Sequence, residues 1–187
     1  MSLEQIENII PQCIQGDRAS QKLLFKTYNK KLYGIAIKYM GNVKDAEEVL
    51  QDSWLSIFKS LHSYKNEGKL EGWLKTIVVR TAWKATRQRN FHADIDSLAN
   101  LTKVSESSQA IDRMTCDEIL SLLSFVPASS QQVFKMFVLD EYTHQEISEI
   151  LGIEKATSRA HLAKARKVLR EKFEIINNVK HNGLKAI

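Results

Sequence analysis

The stretch from Tyr142 to Arg170, YTHQEISEILGIEKATSRAHLAKARKVLR, decides the fold. Thr143 and Glu146 make a T-x-x-E capping box, in which the hydroxyl takes an orphan backbone N–H and the carboxylate reaches back. Ile147, Ile150 and Leu151 follow at helical spacing and give the first helix one apolar face. Gly152 stands where a helix end needs left-handed dihedrals, and Ile153 is positioned to fill the angle between two helices. A second helix is predicted from about Lys155, with Leu162, Ala165, Val168 and Leu169 as its inward stripe. Its other faces carry Lys155, Arg159, Lys164, Arg166, Lys167 and Arg170, with no acid among them. Two helices around a tight turn, the second this basic, form a helix-turn-helix suited to the major groove. A basic run alone is usually a solvated face. Here the capping box, the glycine, the inward stripe and the one-signed face coincide in register.

The rest of the composition agrees with a helical DNA-binding protein. The chain has 187 residues, 43% of them apolar, enough for one large core or two small ones. Pro11 and Pro127 are its only prolines, which favours an all-α fold. A net charge of +5 suits a polyanionic partner. The charge is unevenly placed: residues 1–90 carry a net +6, residues 91–118 a net −4 and residues 119–187 a net +3. No apolar run approaches a membrane span and no charged-then-apolar leader opens the chain, so a cytoplasmic protein without membrane insertion is expected. Cys13 and Cys116 lie in separate segments, and the five histidines show no metal-ligand spacing. With no glycine-rich phosphate loop and no nucleophile motif, no enzyme, metal or cofactor is expected.

Read in order, residues 3–14 suggest a short amphipathic helix ending before Gly16. Asp17 is placed to cap the next helix, which runs to about Met40 and stops at Gly41-Asn42. A third helix from Val43 to about Ser60 turns Ala46, Val49, Leu50, Ser53, Ile57 and Leu61 inward, and shows Asp45, Glu48, Gln51 and Asp52 on its other side. Trp54, Ile57 and Phe58 read as core. After a polar loop over residues 62–70, a fourth helix from about Glu71 to Arg89 carries Lys75, Arg80, Lys84, Arg87 and Arg89, without an acid beyond its first residue. Trp73 reads as core, and Trp83, next to Lys84, as nearer the basic face. Periodicity fails from Phe91 to about Arg113, a polar, acidic, serine-rich linker. Helical pattern returns from Asp117 to Phe125, breaks at Pro127 and restarts from Gln131 to Leu139. Two small helical domains follow, 1–90 and 114–187, around the linker 91–113.

The order of these parts resembles the extracytoplasmic-function sigma factors of bacterial RNA polymerase. Three separated blocks carry the resemblance: DAEEVLQDSWLSIFKSL (45–61), the Y…G…WL..I…R pattern from Tyr64 to Arg87, and LLSFVPASSQQVF ahead of the helix-turn-helix. The chain departs from the family's usual residues at Arg80, Gln131, Ala156-Thr157-Ser158 and Ala160, positions that bear on preferred bases rather than on fold. The resemblance implies an alternative sigma factor that binds core RNA polymerase and promoter DNA, and it admits an anti-sigma factor as a further partner.

It implies site residues as well. Asp45, Glu48, Gln51 and Asp52 would meet the polymerase clamp, an acidic stripe on a basic surface. Tyr64, Lys65, Asn66 and Lys69 of the loop, with Arg80, Lys84 and Arg87 along the fourth helix, would open and read the minus-ten element. Thr157, Arg159, Ala160, Ala163 and Lys164 would read the minus-thirty-five element, Arg159 and Lys164 at guanine edges, the alanines by close approach and Thr157 at a phosphate. Arg166, Lys167 and Arg170 would be phosphate contacts or simple solubility charges, and His161 a backbone contact or a partly exposed bystander. The linker is either a plain tether or, as the family suggests, an acidic thread through the polymerase channel. The competing reading is a stand-alone helix-turn-helix regulator with a helical dimerisation or effector domain, for which a basic fourth helix has no use.

Overall fold

In the computed structural model the described residues are 8–65, 69–89, 119 and 121–183. All the regular structure among them is helical, with no strand. Contacts divide the chain into two compact units, Met1–Thr86 and Arg87–Ile187. The division falls in the last turns of the fourth long helix, and the expected linker 91–113 lies outside the described residues.

The first unit contains α1 (Ile10–Ile14), α2 (Arg18–Met40), α3 (Val43–Ser60), a 3-10 turn (Leu61–Ser63) and α4, which starts at Leu70 and continues to Arg89. The helix expected over 3–14 is described only from Ile10, with Pro11 in its first turn, where a proline's missing N–H costs nothing. Asp17 caps α2 by accepting from the Ser20 amide at 2.8 Å, and Gly41, at φ +78°, ends it. Asn42 then caps α3 through the Asp45 amide at 2.9 Å. The predicted inward residues of α3 are all buried. They pack α3 on α2, where Leu24, Tyr28, Leu32, Ala36 and Tyr39 form the opposing stripe. Each fully buried leucine or isoleucine in this core contributes about 1.5–3 kcal/mol of transfer free energy. Lys31 of α2 and Glu71 in the first turn of α4 form an ion pair at 2.6 Å.

In the second unit helical residues 121–122 lead into a 3-10 turn (Leu123–Phe125), followed by α5 (Ala128–Phe134), which runs on into a π-helical turn (Lys135–Leu139). The helix therefore starts directly after Pro127, not at Gln131: the proline is its N-cap, a place that asks for no amide donor. The Gln131 side chain donates back to the Val126 carbonyl at 2.8 Å, tying the helix to its entry strand of chain. The helix-turn-helix is α6 (His144–Leu151) and α7 (Lys155–Gly183). The capping box is present in both directions, Glu146 accepting from the Thr143 amide at 2.7 Å and Thr143 from the Glu146 amide at 3.2 Å. Gly152 takes φ +65°, and its amide and that of Ile153 both donate to the Ser148 carbonyl. Ser148 Oγ donates to the Ile153 carbonyl at 2.6 Å, closing the turn from the side-chain direction. α7 packs on α5 and α6 through Leu162, Ala165 and Leu169.

Two groups of this unit are expected to couple its stability to pH. Hydrogen bonds from Thr143 hold the Glu146 carboxyl below its ordinary range. Burial, and then the charges of Arg159, Arg166 and Lys155, hold His144 below the ordinary histidine range. On acidification the unfolded chain takes up the histidine proton first, and the folded chain resists it, so stability falls as pH drops through the ordinary histidine value. The Glu146 contribution is complete above the ordinary glutamate value and is lost as pH falls through the lowered one. Melting temperatures of the whole chain are expected to fall in two stages from pH 7 to pH 3, with Asp17, held low by its hydrogen bonds from Ser20, adding to the lower one. Glu146→Gln should flatten the lower stage and His144→Asn the upper one. A melting profile with the same two stages in both variants would refute the assignment.

Candidate nucleic-acid interface

Three outward-facing rows emerge when helical spacing is laid over exposure. On α3, Glu48, Gln51, Asp52, Leu55 and Lys59 recur at steps of three and four and are all exposed. Asp45 stands apart from them: half-buried, it closes the helix cap, accepting from Asn42 Nδ2 at 2.8 Å. Leu55 was missed by the sequence reading. It is 65% exposed in the middle of an otherwise polar row, and a leucine at an outward position of a well-patterned helix is the signal that would have found it. At the edge of this row Phe25, Trp54 and Phe58 form an aromatic cluster, with Phe25–Trp54 and Trp54–Phe58 centroids 5.0 and 5.4 Å apart. Trp54 is buried and donates to Asn29 Oδ1 at 3.0 Å, while Phe58 is only half-buried, at the rim and not in the core.

The second row belongs to α4. Trp73, Arg80, Lys84 and Arg87 follow at steps of seven, four and three, and the three cations are exposed. The two tryptophans reverse their expected places. Trp83 is 6% exposed and sits with Val79, Ala82 and Thr86 on the core side. Trp73 is half-buried and shares the cationic face, because seven residues are two helical turns and bring it into line with Arg80. Its ring meets Tyr64 at 5.5 Å, tilted by 51°. Around this pair lies an open cleft of about 470 Å³ lined by Ser63, Tyr64, Lys65, Lys69, Gly72 and Trp73. The structure thus brings Tyr64, Lys65 and Lys69 together. Arg80, Lys84 and Arg87 continue the face away from the cleft without lining it, and Asn66 lies outside the described residues.

The third row is the outward side of α7. Ala156, Ala160, Ala163 and Lys167 form its centre line, flanked by Arg159, Arg166 and Arg170 on one side and by Thr157 and Lys164 on the other. Arg159 is exposed; Thr157, Ala160, Ala163 and Lys164 are half-buried. The alanines at 156, 160 and 163 keep side-chain bulk low between the arginine edge and Lys164. Lys167 pairs loosely with Glu171 at 4.0 Å. Arg166 lies over the Phe137 ring at 5.8 Å, and Arg170 is half-buried, so neither is a free solubility charge. His161 is 5% exposed and meets Ser130 Oγ through Nδ1 at 3.1 Å, which corrects the expectation of an exposed or backbone-contacting ring. It occupies an inward position, three residues after Ser158 and four before Ala165, which a reading of apolar residues alone skips.

Among the described residues no three or more His, Cys, Asp or Glu side chains are grouped to hold a metal ion, and no helix is long and apolar enough to cross a membrane.

Comparison with known proteins accounts for both units. The family description "Sigma-70 region 2" matches residues 24–91, and "Sigma-70, region 4" matches residues 116–169. The chain is 23% identical over 186 residues to the ECF RNA polymerase sigma-E factor of Haemophilus influenzae, covering 89% of this chain and 94% of that one. It is 22% identical over 180 residues to the ECF RNA polymerase sigma factor SigW of Bacillus subtilis, covering 90% and 96%. Among solved structures, the sigma factor RpoE in complex with the anti-sigma factor NepR from Bartonella quintana shares the fold with a TM-score of 0.53, at 17% identity over 82% of this chain and 96% of that one. CnrH, solved with the cytosolic domain of CnrY, shares it with a TM-score of 0.51, at 14% identity over 89% and 96%. Region 2 and region 4 follow one another in one all-helical chain that spans nearly the whole length of these relatives, and the protein therefore belongs to the extracytoplasmic-function sigma factors, alternative sigma factors that direct promoter-specific transcription initiation.

Proposed function

We propose that the three rows divide the work of initiation between them. The row Glu48–Gln51–Asp52–Leu55 docks on core RNA polymerase, with Asp45 reinforcing the helix start. The cleft of Tyr64, Lys65, Lys69 and Trp73 receives an unpaired base of the minus-ten strand, and Arg80, Lys84 and Arg87 track its phosphates. The outward row of α7 reads the minus-thirty-five element. The observation that carries this reading is the Tyr64–Trp73 cleft at the head of a cationic helix face. An aromatic platform beside lysines is what an extruded base requires: stacking recovers about 1–3 kcal/mol per base, which offsets the cost of unpairing. A stand-alone regulator that binds duplex DNA needs no such cleft. The work is binding and positioning, with no bond made or broken by the chain itself. It places the chain in the cytoplasm, where polymerase and promoters are. The domains we assign are 1–90 and 114–187, joined by the acidic segment 91–113.

On α7, Arg159 is the base reader and the alanine line lets the helix seat deeply, with Thr157 and Lys164 at the groove walls. Replacing Arg159 by Ala should cost about 1–3 kcal/mol and relax preference at one base position. Lys167→Ala should weaken all upstream sequences alike and reduce the salt dependence by roughly one phosphate contact. Run-off transcription with core polymerase on promoters carrying a randomised upstream element separates the two. Equal, sequence-blind losses would reduce Arg159 to a phosphate contact. An anti-sigma factor is a further partner in this reading, supported by the solved relative bound to one. Co-purification of the full chain from its own host tests for it.

A further inference from the structure

The recognition helix is held by two serine–histidine pairs, one buried and the other part-buried on its histidine side. Ser158, fully buried on α7, meets His144 Nδ1 of α6 at 2.8 Å. One turn on, His161 of α7 meets Ser130 Oγ of α5 at 3.1 Å, and Ser130 is 1% exposed. One pair ties α7 to the helix before it and the other ties it to α5, from adjacent turns of the same inward stripe. His144 is clamped from its other side by Phe137, whose ring is stacked on the imidazole at 4.6 Å and 26° and carries Arg166 over it.

The apolar part of the same interface, Leu162, Ala165 and Leu169, holds α7 in place by burial, which is less directional than a hydrogen bond. Buried hydrogen bonds resist rotation, because a lost partner leaves a desolvated polar atom, at about 1–3 kcal/mol. The consequence is large on the outward side. A roll of about 30° moves a side-chain tip about 6 Å from the axis by roughly 3 Å, close to the spacing of about 3.4 Å between successive nucleotides of one strand. Arg159 is the immediate neighbour of Ser158, so its aim is set within one residue of the first pair.

We infer that the pairs His144–Ser158 and Ser130–His161 position the recognition helix and so determine base specificity, although none of the four side chains lies on its outward row. The inference rests on the reading of α7 as the minus-thirty-five reader. Ser→Ala changes at 130 and 158 remove the hydrogen bonds with almost no change in volume and favour the helix, so the variants keep their fold. With the full chain assembled on core polymerase, binding to promoters randomised in the upstream element gives a preference ratio at each base. The double variant Ser130→Ala, Ser158→Ala should lose about fivefold or more in that ratio at the best-read position, with total capture over the pool changed far less. His144→Ala should behave like Ser158→Ala, and His144→Asn, which keeps an acceptor near the Nδ1 position, should restore preference. A purely structural role would lower melting temperature and leave the ratios intact, and that result overturns the inference. If the wild-type chain shows no upstream preference at all, the assignment of α7 fails instead, which is a different outcome.

Discussion

Replacing Leu55 by aspartate is expected to lower the affinity of the chain for core polymerase by about 30-fold or more, with helical content and melting temperature unchanged. Leu55 is 65% exposed and supports none of the core, so its loss has no folding cost. On α3 it lies between Gln51–Asp52 and Lys59, an apolar centre with a polar rim, which is the anatomy of a binding patch. Aspartate at that centre would be desolvated on docking without a partner, and this penalty comes on top of the lost packing. Asp52→Lys should act differently: at the rim, a reversed charge slows encounter and weakens its salt dependence. Pull-down and association kinetics with purified core polymerase measure both. Undiminished core association by Leu55→Asp would make the row a solvated face and move docking elsewhere on the first unit.

Much of this architecture was legible because it rests on local chemistry. Asp17 and Thr143 announce helix starts, while Gly41 and Gly152 take the left-handed conformation that ends one. The inward stripe of α3 follows the 3.6-residue period closely enough that burial could be read from spacing. What failed were positions where residue type and helical phase disagree. Trp73 and Trp83 were sorted by the residues beside them in sequence, yet on a helix the neighbours that matter are three, four and seven away. By that measure Trp73 joins Arg80 on the outer face, and Trp83 joins Val79 and Thr86 within. Ser158 and His161 fell out of the inward stripe because they are polar, although each is buried against a partner distant in sequence. No pattern in one helix shows a hydrogen bond to another. The start of α5 was set too late for a related reason: Pro127 reads as a break, but a proline before a helix is also a beginning. Leu55 is a single leucine set among charges, and only its outward phase on α3 marks it.

Replacing Tyr64 and Lys65 together by alanine is expected to slow promoter opening about tenfold to a hundredfold while leaving initial promoter capture nearly intact. The two residues line the same cleft as Trp73 and Lys69, and the Tyr64 ring supplies half of its aromatic wall. In the proposed reading, capture depends on duplex contacts by α7 and on Arg80, Lys84 and Arg87, all of which the variant leaves in place. Opening depends on holding a base that has left its stack, and a cleft without Tyr64 recovers about 1–3 kcal/mol less per base held there. Lys65 is exposed and, in the proposed reading, adds charge next to the unpaired strand, so its removal increases the effect and lowers the salt dependence of opening. Trp83→Ala serves as the contrast. From its buried position it should lower the melting temperature by creating a cavity, without a specific defect in opening. Permanganate reactivity of unpaired thymines, followed over time with polymerase present, reads the opening step directly. A template with the bubble already melted should rescue most of the double variant's defect, because the unpairing cost that the cleft offsets is absent from it. Opening at the wild-type rate on duplex promoters would mean that the cleft is only a gap beside a connector. Strand separation would then rest on Arg80, Lys84 and Arg87 alone, as an electrostatic trap for the single strand with no pocket for its base.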